Sequence, residues 1–131
     1  MKFAIIKERK NPPDKRAVLS PEACATLKKK FPSSDIKVES DTNRAFSDEE
    51  YRNFGIEVTN NISDCDVLLG IKEVPVELLI PNKKYFFFSH TIKKQPHNQQ
   101  LMKTLIKKKI QMIDYETLTD KNHNRIIGFG R

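Results

Sequence analysis

Residues that can act together on carbonyl and amino compounds follow strand-like runs in this sequence. Lys72 follows the apolar run Val67–Ile71, His90 follows the run Tyr85–Phe88 by two residues, and Arg16 lies beyond the first such run. An arginine fork binds a carboxylate through two N–H groups, which a lysine cannot reproduce. Histidine, and a lysine partly removed from water, can exchange protons near neutral pH. The set suits a 2-oxo acid or an amino acid as ligand.

Each of these residues also has an ordinary structural interpretation. Lys72 could pair with an acid such as the adjacent Glu73, His90 could be a hydrogen-bonded, partly buried histidine, and Arg16 could lie on a mobile loop. Spacing alone does not decide between these interpretations and a catalytic role. The elements that carry the residues therefore have to be considered first.

Six strand-like runs recur along the chain, each short, rich in β-branched or aromatic residues and bounded by polar residues. They are Phe3–Ile6, Ile36–Glu39, Val67–Ile71, Tyr85–Phe88, Ile110–Ile113 and Ile126–Phe129. Helical patterns lie between several of them, and this alternation indicates crossover units and a mostly parallel sheet. The third and fourth runs are apolar throughout, as in strands covered on both faces. The sequence predicts an α/β fold in which ligands collect at the carboxyl ends of the strands.

Three segments carry helical signals. Pro21–Phe31 begins after a predicted N-cap, Ser20, and has proline at its first position. Ser47 and Glu50 form a capping-box pattern before a second, short helix. The third segment is amphipathic. The apolar positions that define the first and third helices are Ala23, Leu27, Phe31, Leu101, Leu105 and Ile106.

Length and composition bound the protein class. The chain has 131 residues and a mass of 15.2 kDa, which is enough for one domain. It is 37% hydrophobic and 31% charged, so a globular core is expected. No run is long enough for a membrane helix or a signal peptide, which favours a soluble, cytoplasmic protein. Cys24 and Cys65 are predicted to be reduced, structural thiols, and no metal site is expected.

The net charge of +7 allows nucleic acid, an anionic membrane surface or an anionic small molecule as a partner. The lysine runs Lys28–Lys30 and Lys107–Lys109 lie at the ends of predicted helices, where cations suit the helix dipole and remain solvated. No nucleic-acid-binding module is recognisable. We therefore expect neither nucleic acid nor membrane as a partner, but a small molecule.

Five pieces of the chain resemble, in order and spacing, the N-terminal domain of the alanine dehydrogenase and pyridine nucleotide transhydrogenase superfamily. The pieces are KERKNPPDKRAVLSP, DVLLGIKEVP, YFFFSHTIKKQ, IDYETL and RIIGFGR, and they span nearly the whole chain. The residues after Ser89 and the run Asp114–Glu116 resemble the saccharopine dehydrogenase and lysine-ketoglutarate reductase branch more than alanine dehydrogenase. The resemblance implies a Rossmann- or flavodoxin-like three-layer domain with helices on both faces.

The resemblance also implies roles for individual residues. Lys72 matches the family lysine in acid-base chemistry at the imine or carbonyl, His90 matches its partner, and Arg16 matches the arginine that binds a substrate carboxylate. Four further positions are implied to support the substrate and tune the charge of this pair: Glu73, Lys93, Gln95 and Glu116. Two alternatives stay open: Glu73 could form a plain salt bridge, and Glu116 could be a solvated carboxylate.

The implied reaction is the reversible reductive amination of a 2-oxo acid, with NAD or NADP as the cofactor of the full-length enzyme. The four glycines, Gly55, Gly70, Gly128 and Gly130, do not form the Gly-rich dinucleotide fingerprint. Residues 1–131 are therefore expected to be the substrate-binding N-terminal domain of a larger dehydrogenase, inactive alone, without its dinucleotide-binding domain.

Other functions stay open at this point. The chain could come from an alanine dehydrogenase or a transhydrogenase alpha subunit, or it could be a freestanding module that senses an amino or oxo acid. A basic protein that binds nucleic acid or an acidic partner is a further, minor alternative. The oligomeric state is open as well, and a homo-oligomer is compatible with the sequence.

Overall fold

The computed structural model describes residues 1–89, 96 and 98–128. Its six strands form one sheet in the order β3-β2-β1-β4-β5-β6, and all five strand pairings are parallel. The strands are β1 Lys2–Ile5, β2 Asp35–Glu39, β3 Glu57–Thr59, β4 Val67–Lys72, β5 Lys84–Phe88 and β6 Gln111–Asp114. The predicted α/β fold with a parallel sheet is confirmed, and the strand order is that of the Rossmann fold.

Helices cover both faces of this sheet, as predicted. The helices are α1 Pro21–Lys30, α2 Asp48–Asn53 and α3 Asn98–Lys107, with short 3-10 turns at Val76–Leu78 and Tyr115–Thr117. Cys24 of α1 and Tyr51 of α2 pack in one hydrophobic cluster, whereas Leu101 of α3 packs in another. The neighbours Ala4 and Ile5 of β1 fall in different clusters, because consecutive strand residues point to opposite faces.

The predicted helix starts are confirmed by their caps. The Ser20 hydroxyl accepts the Ala23 N–H at 3.1 Å at the start of α1. At α2 the Ser47 hydroxyl accepts the Glu50 N–H at 3.2 Å, and the Glu50 carboxylate accepts the Ser47 N–H at 2.7 Å. Each cap satisfies backbone donors that have no partner inside the helix.

The predicted apolar faces of α1 and α3 are only partly right. Leu101 and Leu105 are buried, but Phe31 is 56% exposed and Ile106 is 74% exposed. Phe31 is the C-cap of α1, where the backbone has left helical geometry, so its side chain no longer follows the helix face. Ile106 is the neighbour of a buried position and lies about 100° round the helix from it, on the solvent side.

Five predicted strands agree with the structure to within one residue at each end. The edge strand β3 was not predicted, because Glu57–Thr59 is too short to show an alternating pattern. The predicted strand Ile126–Phe129 is wrong as far as the structure describes it, up to Gly128. Instead, Asp120 and Asn124 close a turn, and the Ile126 N–H donates to the Leu118 carbonyl at 3.2 Å. The chain therefore folds back toward the sheet end instead of adding a strand.

Cys24 and Cys65 are free and buried, and they belong to different core clusters. Burial raises the pKa of each thiol to about 11, so both are protonated at neutral pH. This burial agrees with the predicted structural role. Separately, no helix within the described part of the chain has the length and apolar character needed to cross a membrane.

Candidate functional site

A cleft of about 440 Å³ lies at the carboxyl ends of the central strands. Lys72 is the last residue of β4, Phe88 is the last residue of β5, and Glu116 follows β6. The strand order reverses between β1 and β4, and ligands bind at such a switch point in open parallel sheets. The lining residues are Arg16, Ile71, Lys72, Phe88, Glu116, Arg125, Ile126, Ile127 and Gly128. The structure thus brings together three of the predicted site residues: Arg16, Lys72 and Glu116.

The loop that carries Arg16 is anchored to the rest of the fold. Arg9, in the same connection between β1 and α1, forms a two-pronged ion pair with Glu39 at the end of β2. Further along, the Ala45 N–H donates to the Lys15 carbonyl at 2.7 Å. The Arg16 side chain is 35% exposed, so it lies partly within the cleft wall. The loop of Arg16 is therefore supported by contacts at Arg9 and Lys15.

Asp14 occupies one edge of the Arg16 guanidinium. Its Oδ1 accepts the Arg16 Nε–H at 2.9 Å and its Oδ2 accepts the Nη2–H at 2.7 Å. Oδ1 also accepts the Arg16 backbone N–H at 2.9 Å. The hydrogen bonds from Arg16 hold the pKa of Asp14 below its ordinary value, and Asp14 in turn raises the pKa of the Arg16 guanidinium. Both groups stay charged at neutral pH.

Lys72 lies near the same carboxylate. Its Nζ is 3.9 Å from Asp14 Oδ2, and its side chain is 46% exposed. The described residues leave nearly half of this side chain in water, so the amine is accessible to a ligand in the cleft.

Glu8 connects the ends of β1 and β4. The backbone pairing of these strands continues to the Ile6 N–H, which donates to the Leu69 carbonyl at 3.0 Å. Beyond it, the Glu8 carboxylate accepts the Ile71 N–H at 3.2 Å and the Lys72 N–H at 2.6 Å. Burial raises the pKa of Glu8 despite these bonds. The Glu8 side chain therefore continues the hydrogen bonding between β1 and β4 as far as Lys72.

Gly70 lies close to the side chains of Glu8 and Ile6. A Cβ at this position would lie 3.1 Å from Ile6 Cδ1 and 3.3 Å from Glu8 Oε2. Most real side chains do not come that close. The register between β4 and β5 also shifts between Leu69 and Lys72. A Cβ at Gly70 would thus require the Ile6 or Glu8 side chain to shift by a few tenths of an ångström.

Glu116 and Arg125 form the far wall of the cleft. Glu116 is only 8% exposed, and its Oε1 lies 3.5 Å from Arg125 Nη2. Asp114 holds this wall against β5, because its Oδ2 accepts the Ser89 hydroxyl at 2.6 Å and its Oδ1 accepts the Glu116 N–H at 2.9 Å. A buried, ion-paired Glu116 replaces the alternative of a solvated acid.

Glu73 lies outside the cleft lining. Its Oε1 is 2.6 Å from Lys10 Nζ, and both residues line a neighbouring depression of about 200 Å³. The salt-bridge interpretation of Glu73 describes this contact, although the partner is Lys10 and not the adjacent Lys72. A tuning role for Glu73 stays a prediction, as does a role for the remaining three predicted residues. His90, Lys93 and Gln95 lie outside the described residues.

Three residues of the site were not singled out from the sequence. Asp14 stands two residues before Arg16, a spacing at which aspartate side chains commonly accept a backbone N–H, so this signal was present. Glu8 follows a strand closely, which is the expected place for a site residue. Arg125 reaches the cleft through the turn at Asp120, which no spacing in the sequence reveals.

The connection after β1 does not fit the pyrophosphate of a dinucleotide. In the Rossmann fold the turn from β1 to the first helix carries glycines that let the pyrophosphate approach the backbone. Here the connection from residue 6 to residue 20 is long and contains no glycine, and it carries the proline pair Pro12 and Pro13 instead. For metals, within the ranges 1–89, 96 and 98–128, no three His, Cys, Asp or Glu side chains come together in a potential site.

The fold and the cleft define an α/β domain of Rossmann order that presents cations and carboxylates at its switch point. The family model described as "Alanine dehydrogenase/PNT, N-terminal domain" matches residues 4–130. The chain therefore belongs to this family, as the five sequence pieces predicted.

Two kinds of enzymes are similar to this chain in sequence. The chain is 33% identical over 131 residues to alpha-aminoadipic semialdehyde synthase of Arabidopsis thaliana and 34% identical over 129 residues to the mitochondrial enzyme of that name from Mus musculus. It covers 12% and 14% of those proteins, with 97% and 98% of its own residues aligned. The saccharopine dehydrogenase [NAD(+), L-lysine-forming] of Emericella nidulans is 26% identical over 125 residues, which span 91% of this chain and 33% of that protein.

Solved structures share the fold. An L-alanine dehydrogenase superposes with a TM-score of 0.74 at 22% identity, over 95% of this chain and 35% of that one. A transhydrogenase from Sinorhizobium meliloti gives a TM-score of 0.69 at 18% identity, over 92% and 36% of the two chains. At these identities the likeness shows the fold alone. The chain thus corresponds to a small part of each of these proteins.

Proposed function

We propose that this chain is the substrate-binding domain of a nicotinamide-dependent amino-acid dehydrogenase of the saccharopine-forming type. The proposed reaction joins the amino group of lysine to the carbonyl carbon of 2-oxoglutarate with loss of water, and a hydride from the nicotinamide reduces the resulting imine. The observation that carries the proposal is the cleft that gathers Arg16, Lys72 and Glu116 at the switch point of the sheet. The 33–34% identity to alpha-aminoadipic semialdehyde synthases supports this branch.

In this proposal the chain binds and orients the acid. Arg16 binds a substrate carboxylate, and its guanidinium is already fixed by Asp14 from one side. Lys72 stands at the end of β4. There its side-chain ammonium group can donate a proton to the carbonyl oxygen of the oxo acid, and the neutral amine can later accept one from the amino group of the substrate. His90 is proposed as the partner that passes this proton to solvent.

The acids of the cleft are proposed to tune these cations. Glu116, buried beside Arg125, adds a fixed negative charge opposite Lys72 in the cleft lining. Glu73 acts from the adjacent depression through Lys10. Lys93 and Gln95 are proposed as supporting contacts to the substrate. Together these groups would give a site that holds carboxylates without a large excess of positive charge.

The dinucleotide is proposed to bind a separate domain of a longer protein. The glycine-free connection after β1 gives it no cradle here, and the relatives are several times longer than this chain. Such a domain would also cover the cleft. Covering Lys72 would remove more of its side chain, which is 46% exposed, from water and exclude solvent from the reacting groups.

An amide NMR titration of the 131-residue chain tests this proposal. Saccharopine, 2-oxoglutarate, pyruvate and NADH are added in turn. We expect shifts at Arg16, Lys72 and Glu116 with the first two ligands, weaker shifts with pyruvate and none with NADH. Pyruvate as the preferred ligand would favour the alanine dehydrogenase branch. A folded chain that no acid shifts would contradict the proposal for this chain.

The variant Arg16→Lys sharpens the test. It keeps the charge but loses the two-pronged contact with a carboxylate, so the Kd for 2-oxoglutarate should rise by about tenfold. The matched control is Arg52→Lys, because Arg52 lies on α2 and contacts only Glu49 among the ion pairs described, at 3.4 Å. The control should bind as the wild type does. Equal affinity for Arg16→Lys would remove Arg16 from the carboxylate site.

A further inference from the structure

The charge of the cleft is smaller than its cations alone suggest. Among the described residues it is lined by three cations, Arg16, Lys72 and Arg125, and one carboxylate, Glu116. Asp14 is a second carboxylate at this place. It bonds Arg16 through two oxygens and lies 3.9 Å from the Lys72 amine. The described part of the cleft therefore carries one net positive charge.

Asp14 is held where it is by the chain itself. Its Oδ1 accepts the Arg16 backbone N–H at 2.9 Å in addition to the side-chain N–H, which closes a local turn. The side chain is 9% exposed, so water replaces these bonds poorly. A ligand carboxylate arriving at Arg16 thus meets a neighbouring negative charge that cannot swing away without breaking a backbone contact.

We propose that Asp14 is a specificity-determining residue, a built-in counter-charge that makes the cleft favour amino dicarboxylates, which carry one net negative charge, over the corresponding dianionic oxo acids. This inference rests on the proposed function of the cleft. An amino dicarboxylate offsets one carboxylate with its ammonium group, and that ammonium group is attracted by Asp14. The corresponding oxo acid has no such group, so it is repelled by the same charge.

A matched pair of ligands isolates this effect. Glutamate and 2-oxoglutarate share one carbon skeleton and differ at the carbon that carries either the ammonium group or the oxo group. Asp14→Asn removes the charge, but its amide oxygen can still accept the Arg16 backbone N–H that Asp14 accepts at 2.9 Å. We expect the Kd of 2-oxoglutarate to fall by about tenfold and that of glutamate to change by less than about twofold, on Coulomb's law at short range.

Two further variants separate charge from structure. Asp14→Glu keeps the charge and should keep the wild-type ratio of the two Kd values. Asp64→Asn changes the net charge equally, but Asp64 pairs with Lys2 and Lys37, and Lys2 begins β1 at the opposite end of the strand from the cleft. This control should also keep the ratio. Amide spectra of each variant verify the fold.

The outcomes distinguish the two proposals. One result would be that the wild type binds 2-oxoglutarate while Asp14→Asn binds it no better relative to glutamate than the wild type does. That result would overturn the inference and leave the proposed function standing. If only Asp14→Asn binds 2-oxoglutarate, the result would support the inference and count against the proposed function of this chain. If neither protein binds either acid, both are overturned.

Discussion

Replacing Glu8 by alanine tests the link between the fold and the site. The change removes the acceptor of the Ile71 and Lys72 N–H groups. Ile71 is 2% exposed, so its amide would be left buried without that acceptor, at a cost of about 1–3 kcal/mol. Lys72 lies at the rim, where water can replace the lost bond. We expect a loss of about 2 kcal/mol in the free energy of unfolding.

Urea unfolding and amide hydrogen exchange check this expectation. A loss of this size lowers the urea midpoint by about 1 M for a small domain, and the Ile71 and Lys72 amides should lose protection. Glu57→Ala is the matched control, because Glu57 lies exposed on the edge strand and pairs only loosely with Lys37, at 3.8 Å. An unchanged midpoint for Glu8→Ala, with both amides still protected, would refute the idea that Glu8 holds the end of β4.

Two further predictions concern ionisation and packing. Burial raises the pKa of Glu8 above its ordinary value of 4.5, so the folded protein holds this proton more tightly and Glu8 lowers stability as the pH rises through the raised pKa. Glu8→Gln should therefore gain stability relative to the wild type as the pH rises above 4.5 in urea titrations, and a relative loss would contradict the sign. Tyr51→Phe should cost about 1–2 kcal/mol in thermal or urea unfolding, because the buried Tyr51 hydroxyl donates to the Leu19 carbonyl at 2.7 Å. No measurable loss would show that water replaces this bond.

The fold could be predicted from the sequence where local signals agree with burial. Strands such as Val67–Lys72 are apolar because both sheet faces are covered, and the caps at Ser20 and Ser47 act within three residues. Beyond such short ranges the signals fail. Ile126 belongs to a β-branched run typical of a strand, yet a turn closed by Asp120 directs it to the cleft. Strand propensity states what a segment can form, and tertiary contacts decide whether it does.

The site could be predicted in part for a related reason. Arg16 and Lys72 draw attention because they lie beyond strand-like runs, where ligands collect in parallel sheets. Their predicted roles come from the family resemblance, since position alone leaves structural interpretations open. The contacts of each side chain with distant acids were not predictable. Glu73 is adjacent to Lys72 in sequence yet pairs with Lys10, because consecutive residues of an extended chain point in opposite directions. Neighbours in sequence at a strand end are therefore poor candidates for pairing with each other.

Glu8 and Asp14 show how one connection supplies two acids with different tasks. Burial raises the pKa of Glu8, whereas the hydrogen bonds from Arg16 lower that of Asp14. Glu8 serves as an acceptor, because its carboxyl group takes hydrogen bonds from the Ile71 and Lys72 N–H groups at the end of β4. An acid that stays ionised can act as a permanent counter-charge, and Asp14 stands between the two predicted substrate-handling cations. The positioning role therefore belongs to Glu8 and the electrostatic role to Asp14. Replacing the carboxylate by an amide should change the ligand preference in Asp14→Asn but not in Glu8→Gln.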